Sequence, residues 1–146
     1  MDAEESARAQ IGRTIGDRYK LLGLLGSGGM GAVYLAEHVF TKRRVALKRM
    51  HPEYAHSKQA AERFVRESRA PSTIGHPGIV QVLDGGADAD GSLYLVLELL
   101  DGVSLHEAIE QNALDANAVV QIGVELLDAL AAAHVKGFEH RDIKPD

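Results

Sequence analysis

Leu25-Gly26-Ser27-Gly28-Gly29-Met30-Gly31-Ala32-Val33 is the stretch on which the fold turns. It contains G-x-G-x-x-G, a string that on its own says only that backbone can come close to something. Glycine tolerates φ > 0 and has no Cβ between its N–H and an approaching phosphate oxygen. The flanks carry more information. Tyr19, Leu21 and Leu22 precede the glycines, and Ala32-Val33-Tyr34-Leu35-Ala36 follows in strand-favouring residues. The segment therefore reads as strand, glycine turn, strand. A dinucleotide-binding turn would open a helix and place an acidic residue about 20 positions on. Here that region is basic, Arg43 to Arg49. A P-loop needs G-K-[ST] after its last glycine, and none follows. What remains is a glycine-rich hairpin, with or without a ligand beneath it.

Outward from the hairpin, Arg44-Val45-Ala46-Leu47-Lys48-Arg49-Met50 reads as a third strand. By alternation Ala46 and Lys48 share one of its faces, so the lysine could reach beneath the glycine turn. An edge-strand lysine in water is the plainer alternative. Residues 58–70 read as a helix that places Ala60, Phe64 and Glu67 on one face, with Pro71 expected to end or kink it near Ala70. A carboxylate on a packed face needs a partner, and Lys48 is the candidate. Glu67 could instead border the stripe and reach water. Two further strands are expected at 79–83 and 92–100, joined by a loop over Asp84 to Gly91. The expected sheet is antiparallel with one helix against it.

Beyond Asp101-Gly102 the chain turns helical. Ser104-Leu105-His106-Glu107 has capping-box spacing. A longer helix is expected from about Asn117 to Lys136, with Val119, Ile122, Leu126, Leu130 and Ala133 as its apolar stripe and Gly137 as terminator. Residues 1–17 show no period and are expected to be frayed or loosely docked. Asp84, Asp88 and Asp90-Gly91 suggest a calcium loop only superficially. With Gly91 at the sixth position, the first and twelfth would be Gly86 and Leu97, so a polar hairpin loop is preferred. His51 and His56 lack helical ligand spacing.

The chain has 146 residues and no cysteine, which excludes disulfide scaffolds, thiolate metal sites and cysteine nucleophiles. Its net charge of -5 is uneven. The first fifty residues carry nine Lys/Arg against five Asp/Glu, whereas residues 101–146 carry three against nine. A basic first third can attract phosphate, and the acidic end argues against nucleic-acid binding. The polar, acidic start does not resemble a signal peptide. The best apolar run is cut by Glu98, so no membrane span is expected and the expected setting is the cytoplasm.

Taken in order, these segments resemble the eukaryotic-like (Hanks-type) serine/threonine protein kinases of bacteria. The carriers are the glycine loop, Val45-Ala46-Leu47-Lys48, Arg63-Phe64-Val65-Arg66-Glu67, His76-Pro77-Gly78-Ile79-Val80, Leu97-Glu98-Leu99-Leu100-Asp101-Gly102 and His140-Arg141-Asp142-Ile143-Lys144-Pro145. The resemblance implies an α+β, protein-kinase-like fold. A five-stranded antiparallel N-lobe sheet plus one helix would be followed by the first helices of a C-lobe. It divides the chain into a polar lead (1–18), an N-lobe (19–100) and a hinge with partial C-lobe (101–146). It also implies roles. Leu25, Gly26, Gly28 and Gly31 would cover ATP, and Val33 and Ala46 would line the adenine pocket with Leu97 at its back. Backbone groups of Glu98 and Leu100 would bond the adenine edge. Lys48, held by Glu67, would contact the α- and β-phosphates. Asp142 would take the proton of a protein Ser/Thr hydroxyl, and Lys144 would neutralise charge on the transferred group. Lysine at that place points to the serine/threonine branch.

The family's catalytic loop continues to an Asn one position past Asp146. The D-F-G Asp that holds Mg²⁺ lies further on, so no metal ligand is assigned within these residues. The expectation is that this polypeptide alone lacks appreciable kinase activity. The apolar stripe of 117–136 is expected to stay exposed and to favour association. Glu139 stands where the family has an apolar residue and could disturb the entry to the catalytic loop. The alternatives are a degenerate nucleotide-binding module without catalysis and a small-molecule phosphotransferase, the latter disfavoured by the His140 to Pro145 string.

Overall fold

The computed structural model describes residues 3–145, with Ala3, Ala70 and Pro71 described by backbone alone. Met1, Asp2 and Asp146, on which the readings of the chain's two ends partly rest, lie outside the described residues. Two compact units are present. One comprises the residues up to Arg69 together with Gln81–Leu99, and the other comprises Ala70–Val80 with Leu100 onward.

The first unit is a six-stranded, wholly antiparallel sheet in the order β1-β2-β3-β4-β6-β5. Its strands are β1 (Thr14–Ile15), β2 (Tyr19–Ser27), β3 (Gly31–His38), β4 (Arg44–Met50), β5 (Val82–Ala87) and β6 (Leu93–Leu97). Strand alternation decides which residues form the core. On β3 the buried set is Ala32, Tyr34 and Ala36, and on β4 Val45 and Leu47 continue that face. Tyr19, Leu21, Tyr94 and Val96 complete it from neighbouring strands. Arg49 also points into this face, with its side chain only 2% exposed. It survives there because Asp88 (3.2 Å) and Asp90 (2.5 Å) both pair with it.

Three expectations change in this unit. The lead is not loose: α1 (Ala3–Arg8) and β1 are built into the sheet, with Ala7 and Ile15 fully buried. The Tyr34 hydroxyl donates to the Ala7 carbonyl, and the Gly16 N–H donates to Asp88. β1 therefore adds a sixth strand to the five expected. The Asp84 to Gly91 segment is not all loop, because β5 runs to Ala87 and only Asp88 to Ser92 turns. Its carboxylates serve arginines: Asp84 pairs with Arg18, and Asp88 with Arg13 and Arg49.

Pro71 does not end its helix either. Helix α2 runs Lys58–Ile74 and stops at Gly75, whose φ of +65° is the left-handed conformation glycine adopts at little cost. Residue 71 lacks an N–H, which costs the helix one rung, yet Ile74 is buried one turn later.

The second unit contains α3 (Leu105–Glu110) and α4 (Ala116–Val135). The capping box at Ser104 and Glu107 is complete in both directions. Asp115 caps α4 by accepting from the Ala118 N–H, and Gly137 follows with φ +79°. His76 Nε2 donates to Asp128 on α4 at 2.9 Å, and Lys136 Nζ donates to the Thr73 carbonyl at 2.7 Å. Only Ala129 and Ala133 of α4 are buried, while Val119, Val120, Val124, Leu126 and Leu127 are exposed. The best apolar run is therefore not the one cut by Glu98. By length and composition alone α4 could cross a membrane, although Glu125 and Asp128 lie within it.

Candidate functional site

The glycine loop joins β2 to β3, and its glycines serve different ends. Gly31 pairs with Met50 in the sheet, and a Cβ built on it would run into the Arg49 carbonyl oxygen and lie 3.2 Å from the Met50 Cα. The close approach of two strands therefore requires glycine there. Gly26 and Gly29 would meet nothing within 4 Å, and Gly28 only the Gly31 carbonyl at 3.9 Å. None of these three has a positive φ. Neither backbone angle nor packing within the chain accounts for them. Beneath the loop's tip, His51 Nε2 meets the Gly28 carbonyl at 2.9 Å, and the His51 N–H donates to the Met30 carbonyl at 3.1 Å.

Lys48 lies on β4 directly opposite Val33 of β3, and Ala46 lies opposite Leu35 and Leu97. Residues paired across strands point to one face, so Val33, Ala46 and Lys48 share the face away from the core. Lys48 Nζ is 3.3 Å from Glu67 Oε2 on α2 and 5.7 Å from the centre of the buried Phe64 ring. Glu67 also accepts from Arg63 at 3.2 Å. Both members of the Lys48–Glu67 pair are a third or more exposed. Such a pair contributes no more than about 1 kcal/mol to stability, so its consequence is where it holds the ammonium. The carboxylate thus has a partner and reaches water at once.

Leu25, at the end of β2, is 54% exposed. The Glu98 N–H donates to the Gln81 carbonyl, and its side chain accepts from the Gln81 N–H. Its carbonyl has no hydrogen-bond partner among the described residues. In the other unit the same holds for the N–H of the exposed Leu100. In that unit Asp142 is exposed, and its N–H donates to His140 Nδ1 at 3.3 Å. Arg141 takes a left-handed φ of +61°, an uncommon conformation for a residue with a side chain. Its guanidinium pairs with Glu139 at 3.1 Å, and both side chains are exposed. Lys144 is exposed, and the Pro145 carbonyl accepts from the His106 N–H at the start of α3. The sequence reading missed His51 and Arg49. The only signal for either was a histidine or arginine at the end of an apolar strand.

Among known proteins, a family profile described as "Protein kinase domain" matches residues 19–146. Serine/threonine-protein kinase PrkC of Bacillus subtilis is 39% identical over 136 residues, 92% of this chain and 21% of that protein. Serine/threonine-protein kinase Pkn1 of Myxococcus xanthus is 44% identical over 128 residues, 88% of this chain and 18% of that protein. The chain thus spans about a fifth of the length of these relatives. The crystal structure of the Mycobacterium tuberculosis PknI kinase domain superposes with a TM-score of 0.72 at 31% identity, covering 92% of this chain and 54% of that one. The profile, the relatives and the shared fold agree, and the chain belongs to the protein kinase family.

Proposed function

We propose that this chain binds ATP under its glycine loop and belongs to an enzyme that phosphorylates Ser or Thr hydroxyls of proteins. One observation carries the nucleotide reading. Gly26 and Gly29 face open space, Gly28 meets only the Gly31 carbonyl at 3.9 Å and none has a positive φ, so neither angle nor packing requires glycine at three of four neighbouring positions. Glycine in a strand costs roughly 0.5–1 kcal/mol relative to alanine, a cost that close approach to a ligand offsets. Lys48, held by Glu67 on the face it shares with Val33 and Ala46, supplies the charge for α- and β-phosphates. Leu25 and the carbonyl of Glu98 complete the base-binding surface. Bound ATP supplies the phosphoryl group. Asp142 Oδ orients the substrate hydroxyl and accepts its proton, and the Lys144 ammonium faces the charge on the transferred oxygens.

Among the described residues no group of three or more His, Asp or Glu could hold a metal ion. The family's magnesium ligands are an Asn and the D-F-G Asp beyond residue 146, so no step is assigned to magnesium here. A polypeptide of residues 1–146 alone is accordingly proposed to bind nucleotide without appreciable transfer.

The test is calorimetric titration with ATP of the wild type and Lys48→Ala. Loss of a charge-assisted contact should weaken ATP by about tenfold or more. Equal affinities, or no binding by the wild type, would overturn the nucleotide reading. A phosphotransfer assay on residues 1–146 showing robust, Asp142-dependent turnover would overturn the claim of inactivity.

A further inference from the structure

We propose that His51 is a positioning residue of the nucleotide site, one that aims the tip of the glycine loop at phosphate. The inference rests on the nucleotide reading above and extends it to a residue outside the loop. His51 follows β4 directly, three residues after Lys48, and is 7% exposed. Its ring Nε2 donates to the Gly28 carbonyl at 2.9 Å, while its own N–H donates to the Met30 carbonyl at 3.1 Å. The loop tip thus hangs from the end of the lysine's strand by two hydrogen bonds. The Gly28 N–H meanwhile closes the turn on the Gly31 carbonyl at 2.9 Å.

The consequence follows from peptide planarity. In a trans peptide the C=O of one residue and the N–H of the next point in opposite directions. With the Gly28 carbonyl drawn onto His51, the Gly29 N–H must point away from it. Gly29 is exposed, and its N–H has no acceptor among the described residues. An outward N–H with no Cβ beside it is the donor that an anionic oxygen needs. Without the His51 ring the tip keeps the Met30 tether and the Gly28–Gly31 turn bond, and the 28–29 peptide gains freedom to rotate because its flanking residues are glycines. The ring therefore fixes before binding an orientation that phosphate would otherwise have to select.

The test compares ATP with adenosine, which lacks phosphate, by titrating both into the full chain. His51→Phe keeps a ring but removes the donor, and His51→Gln restores an N–H on a chain of similar reach. The expected result for His51→Phe is ATP affinity reduced about fivefold, the equivalent of one hydrogen bond, with adenosine affinity unchanged. His51→Gln should recover most of the loss. Should His51→Phe lose its thermal transition, His51→Asn, polar but one bond shorter, takes its place. Unchanged ATP affinity, or equal losses for ATP and adenosine, would overturn the positioning role while leaving the nucleotide reading intact. A wild type that binds neither compound would overturn both.

Discussion

Removing the Asp88 carboxylate tests the buried charge cluster that ties residues 13–16 to β4. Asp88 is 6% exposed, and its two oxygens serve different partners. Oδ2 accepts from Arg49 at 3.2 Å and lies 3.6 Å from Arg13, while Oδ1 accepts the Gly16 N–H at 3.2 Å. Asp88→Ala deletes a charge-assisted bond worth about 1.5–3 kcal/mol and a backbone bond worth about 1. Arg49 keeps Asp90, which spares it the full cost of an orphaned buried charge. The expected loss is about 3 kcal/mol, a large share of the roughly 5–15 kcal/mol that a domain has. Asp88→Asn keeps an acceptor for Gly16 and should lose about 1 kcal/mol less. Urea unfolding followed by tyrosine signal is the assay, because Tyr19, Tyr34, Tyr54 and Tyr94 all lie in the sheet unit and there is no tryptophan to obscure them. An alanine variant within about 0.5 kcal/mol of wild type would refute the reasoning. So would an asparagine variant as costly as alanine, since Gly16 would then contribute nothing.

Three further outcomes are expected. Gly31→Ala should destabilise the sheet unit by about 1–3 kcal/mol because its Cβ meets β4 backbone, whereas Gly26→Ala, facing open space on β2, should stabilise it by up to about 1 kcal/mol and weaken ATP; equal stability losses in urea would contradict this partition. Burial, and then the hydrogen bond Tyr19 donates to Asp84, push the Tyr19 hydroxyl up to about 12 from an ordinary 10. Its contribution to stability is thus complete below pH 10 and lost as the pH rises toward 12, and an absorbance titration should show a late tyrosine that Asp84→Asn moves earlier, beside Tyr34, whose hydroxyl burial also raises. Ser104→Ala removes the acceptor for the Glu107 N–H and should cost α3 about 1 kcal/mol, seen as faster amide exchange over 105–110; unchanged exchange would mean the cap is idle.

What could be read from the sequence followed from local rules. Alternation placed Lys48 and Ala46 on one face of β4, and helical spacing placed Phe64 and Glu67 together on α2. The capping box at Ser104 and the terminal Gly137 of α4 are likewise local. What escaped depends on distant partners. Residues 1–17 carry no period, and the order of the described ones, 3–17, comes from Ala7 beneath the Tyr34 hydroxyl and Gly16 on Asp88, contacts 27 and 72 residues apart. Asp84 to Ala87 read as loop because Gly85 and Gly86 have poor strand propensity. Yet each lies hard against β6 partners, where a Cβ on Gly86 would come 3.0 Å from the Tyr94 hydroxyl. Pro71 pointed to a helix end by a rule about one lost hydrogen bond, and the helix continued to a buried Ile74 instead.

The glycine motif marks the limit most clearly, because a string match treats its members alike. In the folded chain Gly31 is demanded by the Arg49 carbonyl, and Gly16 by its φ of +54° and the Tyr94 ring. Those glycines belong to the fold and would be needed if the protein bound nothing. Gly26 and Gly29 would meet no contact, Gly28 only the Gly31 carbonyl at 3.9 Å, and none holds a strained angle, which leaves their backbone open to the nucleotide proposed above. The nucleotide proposed above would approach the backbone between positions 26 and 29, on the stretch that His51 is proposed to orient and toward which the strand of Lys48 leads.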